Sequence, residues 1–206
     1  MLVRRLYGQV VSQPFPTRLS SARLILRQLQ RGDVAGLCAY RSLPEVARFQ
    51  SWESFGPDDA ARLIAGQTDL EPGVPGTWFQ WGIVEAVTGN LVGDCGLHCL
   101  QEDPRRLEVG ITLAPSHQGR GYATEALSCL LDVAFGALGK HRLSAVTDAE
   151  NHAVISIWAP SHGARITATI TCGGAMRTSR LQGGQPSPTS GPNSCWTDPF
   201  AVRSRN

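Results

Sequence analysis

Lysine is almost missing from this chain: of its 19 basic residues only Lys140 is a lysine, and the rest are arginines. That bias suggests a GC-rich gene. The net charge is only +2, and no basic run with interleaved aromatic residues occurs, so nucleic acid is not expected as a partner. No apolar stretch approaches the length that spans a bilayer, which argues against a membrane-spanning helix. Arg4-Arg5 precede only a short, broken apolar run, so no signal peptide is expected and the protein reads as cytoplasmic. The six cysteines, at 38, 95, 99, 129, 172 and 195, include no Cys-x-x-Cys pair. No metal site is expected from them, and buried free thiols in a reducing compartment are the simpler reading. No Gly-Lys-Ser/Thr follows the glycines, which excludes a Walker loop, and no Gly-x-Gly-x-x-Gly occurs, which excludes a dinucleotide fingerprint. What remains is a chain of 206 residues with an apolar fraction of 42%, enough for one domain with a real core.

The most informative stretch runs from Leu107 to Leu127. Leu107, Val109, Ile111 and Leu113 fall on one face and Glu108, Gly110 and Thr112 on the other, the period of a strand. Pro115 ends it, since proline cannot donate to a ladder. A period of 3.6 then takes over. Ala123, Ala126, Leu127, Leu130, Ala134 and Leu138 form one stripe, and Gly136 and Gly139 supply the stop, which predicts a helix over 123–138. Between strand and helix lies Gln118-Gly119-Arg120-Gly121-Tyr122-Ala123. Two glycines there permit a sharp turn and close approach of a phosphate, and Arg120 adds a cation that keeps its proton. The first N–H groups of a helix have no partner inside it, so an anion can take them. The plainer alternative is a turn that only links strand to helix.

The remaining pattern is mixed. Arg23–Leu29 reads as a strand, and Asp33 as the N-cap of a helix carrying Val34, Leu37 and Cys38. Pro44 opens a second short helix. Pro57-Asp58-Asp59 opens another, its acidic residues suited to the positive end of the helix dipole. Residues 71–76 form a Pro/Gly loop, 79–87 and 91–97 a hairpin around Thr88-Gly89-Asn90, and 142–147 one more strand. Helices among hairpins and a crossover indicate an α/β fold with a mixed, mostly antiparallel twisted sheet flanked by helices. Three segments follow: a loose extension over 1–16, a domain over 17–153, and a divergent segment over 154–206. In the last 34 residues half are Gly, Ser, Thr or Pro, which favours a disordered tail.

The ordered motifs are similar to those of the GCN5-related N-acetyltransferases, the GNAT superfamily. Gln118-x-x-Gly121-x-Ala123 resembles the acyl-CoA signature of that family. Arg23-Leu24-Ile25-Leu26-Arg27, Asp33-Val34-Ala35-Gly36-Leu37, Pro44-Glu45-Val46-Ala47-Arg48 and Gln50-Ser51-Trp52-Glu53 follow in the order of its ribosomal-protein-alanine N-acetyltransferase-like branch, the RimJ/RimL type. The resemblance covers residues 17–153 and implies the acyl-CoA N-acyltransferase fold with acetyl-CoA as co-substrate. It places Gln118, Gly119, Arg120, Gly121, Tyr122 and Ala123 at the pyrophosphate, Ile111, Thr112 and Leu113 beside pantetheine, and Asn151 at the cofactor arm. Past Asn151 the chain departs from the family. Val154 stands where the family has Ser, Pro160 interrupts the expected helix, Gly163-Ala164 replaces Gly-Phe, and the closing strands are not recognisable. A reading-frame shift near codon 153 is one account of an incomplete C-terminal part, and a natural divergent terminus is the other.

Acetyl transfer to an amine needs a base for the amine proton, a donor for the developing oxyanion and a proton for the departing thiolate. Glu108, on the strand that would line the acyl arm, is the candidate base, directly or through water; the alternative is a structural glutamate. Tyr122 is the candidate acid, or else packs at the helix start. The acid tyrosine that the family often carries after Gly-Phe is absent, because no tyrosine follows residue 122. Trp52, Trp78 and Trp81 are candidate walls of an acceptor pocket, or else packing residues. His117, His141 and His152 receive no role. The resulting expectation is an N-acetyltransferase acting on a primary amine of a protein N-terminus or a small molecule, as monomer or homodimer. The alternatives are a non-catalytic acyl-CoA-binding domain and the defective product of a frameshifted gene.

Overall fold

The computed structural model describes residues 17–147 and 151, together with the backbone alone of 5–6, 9–10, 148, 166–172 and 175–178. Strands β1 (Arg5–Leu6) and β2 (Gln9–Val10) form a separate two-stranded ribbon. The main chain order is β3 (Arg18–Ser20), β4 (Leu24–Gln28), α1 (Val34–Arg41), α2 (Pro44–Ala47), α3 (Pro57–Gly66), β5 (Trp78–Glu85), β6 (Leu91–Cys99), β7 (Arg106–Leu113), α4 (Tyr122–Leu131), β8 (Arg142–Asp148), β9 (Ile166–Cys172) and β10 (Ala175–Thr178). Strands β3 to β10 make one sheet in the order β10-β9-β8-β7-β6-β5-β4-β3. Every neighbour pair in it is antiparallel except β7–β8 and β8–β9.

Strand alternation decides what each face carries. Phe79, Trp81 and Ile83 of β5, Cys95 and Leu97 of β6, and Leu107 and Val109 of β7 are buried in one cluster with Ala126, Leu127 and Leu130 of α4. The opposite face is covered by α1 and α3, where Leu37, Tyr40, Ala60, Leu63 and Ile64 form a second cluster. The apolar stripe expected over 123–138 is therefore the packing face of α4 and of the π-helical turn Asp132–Ala137 that continues it. The hairpin, both proline-opened helices and the strands near 24 and 142 stand where periodicity places them.

Three differences have clear causes. Asp33 does not cap α1 through its side chain. A 3₁₀ turn, Arg31–Asp33, comes first, and the carboxylate turns back to accept from the Gln30 amide (2.7 Å) and from both terminal nitrogens of Arg27 (2.7 and 2.9 Å). Trp81 walls no pocket: it is fully buried on the α4 side, edge-on to Phe79. Its neighbours Trp78 and Gln80 lie on the other face by strand alternation. Finally, β9 and β10 add closing strands within a segment where the family's pattern made none recognisable, although Ile166–Cys172 is rich in β-branched residues. Pro160, Gly163-Ala164, His152 and the tail from 179 lie outside the described residues.

One buried polar cluster ties α1 to the sheet. Asp94 of β6 accepts from the Tyr40 hydroxyl, the Gln80 side-chain amide and Arg41, whose Nε and Nη2 approach to 3.0 and 2.5 Å. Arg41 lies over the rings of Trp52 (4.3 Å) and Phe55 (5.0 Å). Burial and the Asp94 charge push the Tyr40 phenol well above its ordinary value, so it remains a donor. Removing one partner of a buried ion pair leaves the other charged and desolvated. Asp94→Ala is therefore expected to lower unfolding stability by about 3–5 kcal/mol in urea denaturation. A loss below about 1 kcal/mol would contradict a structural role for this cluster.

Candidate active site

Strand β7 is paired to β6 along nearly its whole length, from Cys99↔Leu107 to Gly93↔Leu113. Strand β8 is likewise paired to β9, from Leu143↔Ile166 to Asp148↔Thr171. Between β7 and β8 only three residue pairs meet: Arg106↔Arg142, Leu107↔Leu143 and Glu108↔Ser144. Past that point the two strands part, each following its outer neighbour. Val109–Leu113 and Ala145–Asp148 thus border a gap with no ladder across it. The five residues of β7 along this gap extend about 16 Å. Close contact on the other side holds β7 in place: a Cβ on Gly93 would come within 2.3 Å of the Thr112 carbonyl oxygen.

The wide end of the gap meets the glycine bend. Pro115–His117 form a 3₁₀ turn, and the Gln118 side-chain amide donates to the Leu113 carbonyl (3.0 Å), closing the bend onto the strand it leaves. Gly119 and Gly121 have φ of +71° and +76°, the left-handed region where a side chain is strained. A Cβ at Gly119 would meet nothing within 4 Å, so that side of the bend is open. Among the described residues nothing accepts a hydrogen bond from the backbone amides of 119–124. Six successive backbone donors, the last of them in the first turn of α4, are thus left without an acceptor among the described residues. The exposed Arg120 guanidinium makes no hydrogen bond to a described residue.

A clamp fixes the bend from behind. Arg23 donates from Nη1 to the Arg120 carbonyl (2.9 Å) and from Nε to Glu125 of α4 (2.7 Å), and lies 4.7 Å from the Tyr122 ring centre. Glu125 also accepts from the Ser21 hydroxyl (2.6 Å) and the Arg23 amide (2.8 Å). The Tyr122 hydroxyl donates to Glu85 (2.6 Å), which Thr88 holds from the hairpin turn (2.8 Å).

A family model for an acetyltransferase (GNAT) domain matches residues 23–159. The chain belongs to the GNAT acetyltransferase family. Among curated relatives of this GNAT enzyme, the uncharacterized N-acetyltransferase YoaA of Bacillus subtilis is 34% identical over 136 residues, 66% of this chain and 76% of that protein. The uncharacterized N-acetyltransferase p20 of Bacillus licheniformis is 32% identical over 134 residues, 65% of this chain and 74% of that protein. In fold the chain is similar to a GNAT-family acetyltransferase from Bacillus anthracis, with a TM-score of 0.59 at 21% identity over 71% of this chain and 85% of that one. A Vibrio cholerae protein provisionally named a ribosomal-protein-serine acetyltransferase gives a TM-score of 0.59 at 20% identity, over 81% of this chain and 95% of that one. The protein is thus an N-acetyltransferase on the acyl-CoA N-acyltransferase fold.

In this GNAT fold the residues singled out from sequence occupy one region with different relations to the gap. Ile111, Thr112 and Leu113 border it, and Gln118 to Ala123 form its mouth. Asn151, half-buried, follows the end of β8 by three residues. Glu108 sits at the vertex, in the last paired position, its carboxylate 3.2 Å from Nδ1 of His98. The Tyr122 hydroxyl is bound toward β5, on the side of β7 away from β8. Its hydrogen bond to Glu85 and its burial raise the phenol above its ordinary value. Trp78 stacks on His98 (5.0 Å, 11°), while Trp52 covers Arg41. Sequence reasoning did not single out His98, Arg23 or Glu125; the hairpin register that sets His98 beside Trp78 and Glu108 was the available signal.

Burial alone would raise the Glu125 carboxyl, but Ser21 and Arg23 outweigh it and hold the group below its ordinary range. Its contribution to stability is then complete above the unfolded carboxyl's value, about pH 4.3, and drains away as pH falls through the lower folded value. Glu125→Gln is expected to lose less melting temperature between pH 6 and pH 3.5 than the wild type does. Identical acid sensitivity in both proteins would contradict the clamp.

Proposed function

We propose that this acetyltransferase uses acetyl-CoA as co-substrate and transfers the acetyl group to a primary amine, of a protein N-terminus or a small molecule, by direct attack in a ternary complex. The observation that carries this reading is the unpaired gap between β7 and β8 ending at six unpartnered amides. The residues present fit such a ligand. Amides 119–124 and Arg120 suit a diphosphate, and the free main-chain edge of Val109–Leu113 suits the amides of a pantetheine arm. Asn151, three residues past β8, is the candidate contact to the same arm from that strand. When bound, acetyl-CoA supplies the activated acetyl thioester.

The protein's part is to hold that thioester end at the vertex and prepare the amine. An ammonium would give one N–H proton to the Glu108 carboxylate, directly or through one water, and the neutral amine would attack the thioester carbonyl; as the C–N bond forms and the C–S bond breaks, the second proton on nitrogen would pass by way of water to the departing thiolate, and Glu108 would release its proton to solvent. Orientation of two substrates at one vertex supplies much of the acceleration. Tyr122 serves the bend in this reading, because its proton is committed to Glu85. The free thiols at Cys38, Cys95, Cys99 and Cys129 support a reducing, cytoplasmic setting. No described helix is long and apolar enough to cross a membrane.

The test is release of coenzyme A thiol from acetyl-CoA with peptides bearing free serine, alanine or methionine N-termini and with polyamines and aminoglycosides. Acetylation of at least one amine class is expected. Tight coenzyme A binding without turnover on any amine would overturn the catalytic part. Arg120→Glu leaves the amides in place and is expected to weaken coenzyme A binding about tenfold in calorimetry. Unchanged affinity would remove Arg120 from the site.

A further inference from the structure

Glu108 does not stand alone at the vertex. Cross-strand register places Trp78 of β5, His98 of β6, Glu108 of β7 and Ser144 of β8 in one row across four strands. The row lies on the face covered by α1 and α3, and it crosses the sheet where the β7–β8 ladder ends. Ser144 spends its hydroxyl on the Leu107 carbonyl (3.1 Å), so it does not hold the carboxylate. His98 does, through Nδ1 at 3.2 Å from Oε2. Both side chains keep partial access to solvent, 24% for His98 and 20% for Glu108. The imidazole is in turn fixed by Trp78, whose ring lies parallel to it at 5.0 Å. That same indole also covers Gly110, the next residue of β7 on this face: a Cβ there would lie 3.8 Å from it.

We propose that His98 is a positioning residue for acetyl transfer: its Nδ1–H donates to Glu108 Oε2 and so presents Oε1 to the acceptor amine, with Trp78 locking the ring. This rests on the reading of Glu108 as the base. A glutamate side chain has three torsions that together sweep its oxygens through several ångströms. A hydrogen bond to one oxygen removes that freedom, and a general base works only within hydrogen-bond reach of the proton it takes. For this hydrogen bond to be donated by the ring, Nδ1 must carry a proton. No bond to His98 forms or breaks in the reaction; the proton passes from the amine to Glu108 Oε1.

The experiment compares His98→Leu, His98→Asn, Glu108→Gln and the Leu/Gln double variant, with acetyl-CoA and the best acceptor of the amine panel. Melting curves check that each is folded. His98→Leu is expected to lose about 10- to 100-fold in kcat with KM for acetyl-CoA within about twofold. His98→Asn, whose side-chain N–H takes the place of Nδ1–H, is expected to keep kcat within about threefold of wild type. The double variant is expected to be no slower than Glu108→Gln alone, because both changes disable one unit. Wild-type kcat in His98→Leu beside a crippled Glu108→Gln would overturn the positioning role and leave the base standing. Wild-type kcat in Glu108→Gln would overturn the base reading itself. Equal losses in His98→Leu and His98→Asn would reduce His98 to a packing role. Long-range ¹H–¹⁵N spectra of the wild type decide the matter without a variant. A proton on Nδ1 is expected, and a neutral ring protonated only on Nε2 would overturn the proposal.

Discussion

A strand inside a sheet must pair both its edges or leave donors and acceptors for something else. Strand β7 satisfies one edge through β6 and gives up the other after Glu108. Strand β8 does the converse, keeping β9 while it leaves β7. The end of that ladder leaves a wedge edged by the main chain of both strands. The candidate residues follow that wedge: the bend and the start of α4 at the wide end, Ile111 to Leu113 along one bank, and Glu108 at the point. A fold that closed this ladder would keep the same residues and lose the site.

The amides of the bend are braced by side-chain contacts to the neighbouring elements. Gln118 ties the bend to the end of β7, while Arg23 and Glu125 tie it to the β3–β4 turn, and Tyr122 to the hairpin at Glu85. Two positive-φ glycines let the chain turn within that frame. Donors fixed before the ligand arrives lose little freedom on binding it, which is why a cradle of backbone N–H groups works best when braced. The buried Asp94 cluster plays the corresponding part for α1, joining the helix layer to β6 through Tyr40 and Arg41.

Local pattern carried much of this into the sequence. Alternation at Leu107–Leu113 and the stripe from Ala123 to Leu138 are local properties, and so is the glycine pair of the bend. Strand, bend and helix were therefore legible, and with them the cofactor-side residues as candidates. What was hidden depends on partners far apart along the chain. Asp33 reads as a cap until Arg27 is seen to claim its carboxylate. Trp81 reads as a pocket wall until the register of β5 assigns it to the α4 face. His98 has no local signature and gains meaning only opposite Glu108. The splay of β7 from β8 is a tertiary property, since no residue type encodes where a parallel ladder stops. Strand β9 does carry a local signal, the β-branched run Ile166, Thr167, Thr169, Ile170 and Thr171, but it lies where the chain has left the family's pattern; β10 is defined by its pairing to β9.

The central claim is that the amides of 119–124 grip a coenzyme diphosphate at the open end of the wedge. Titration of ¹⁵N-labelled protein with coenzyme A, followed in amide correlation spectra beside a parallel titration with pantetheine, addresses it directly. The account predicts saturable shifts at 119–124 with coenzyme A, shifts at 109–113 with both ligands, and none at 119–124 with pantetheine. Binding of coenzyme A that leaves the bend amides unmoved would contradict it.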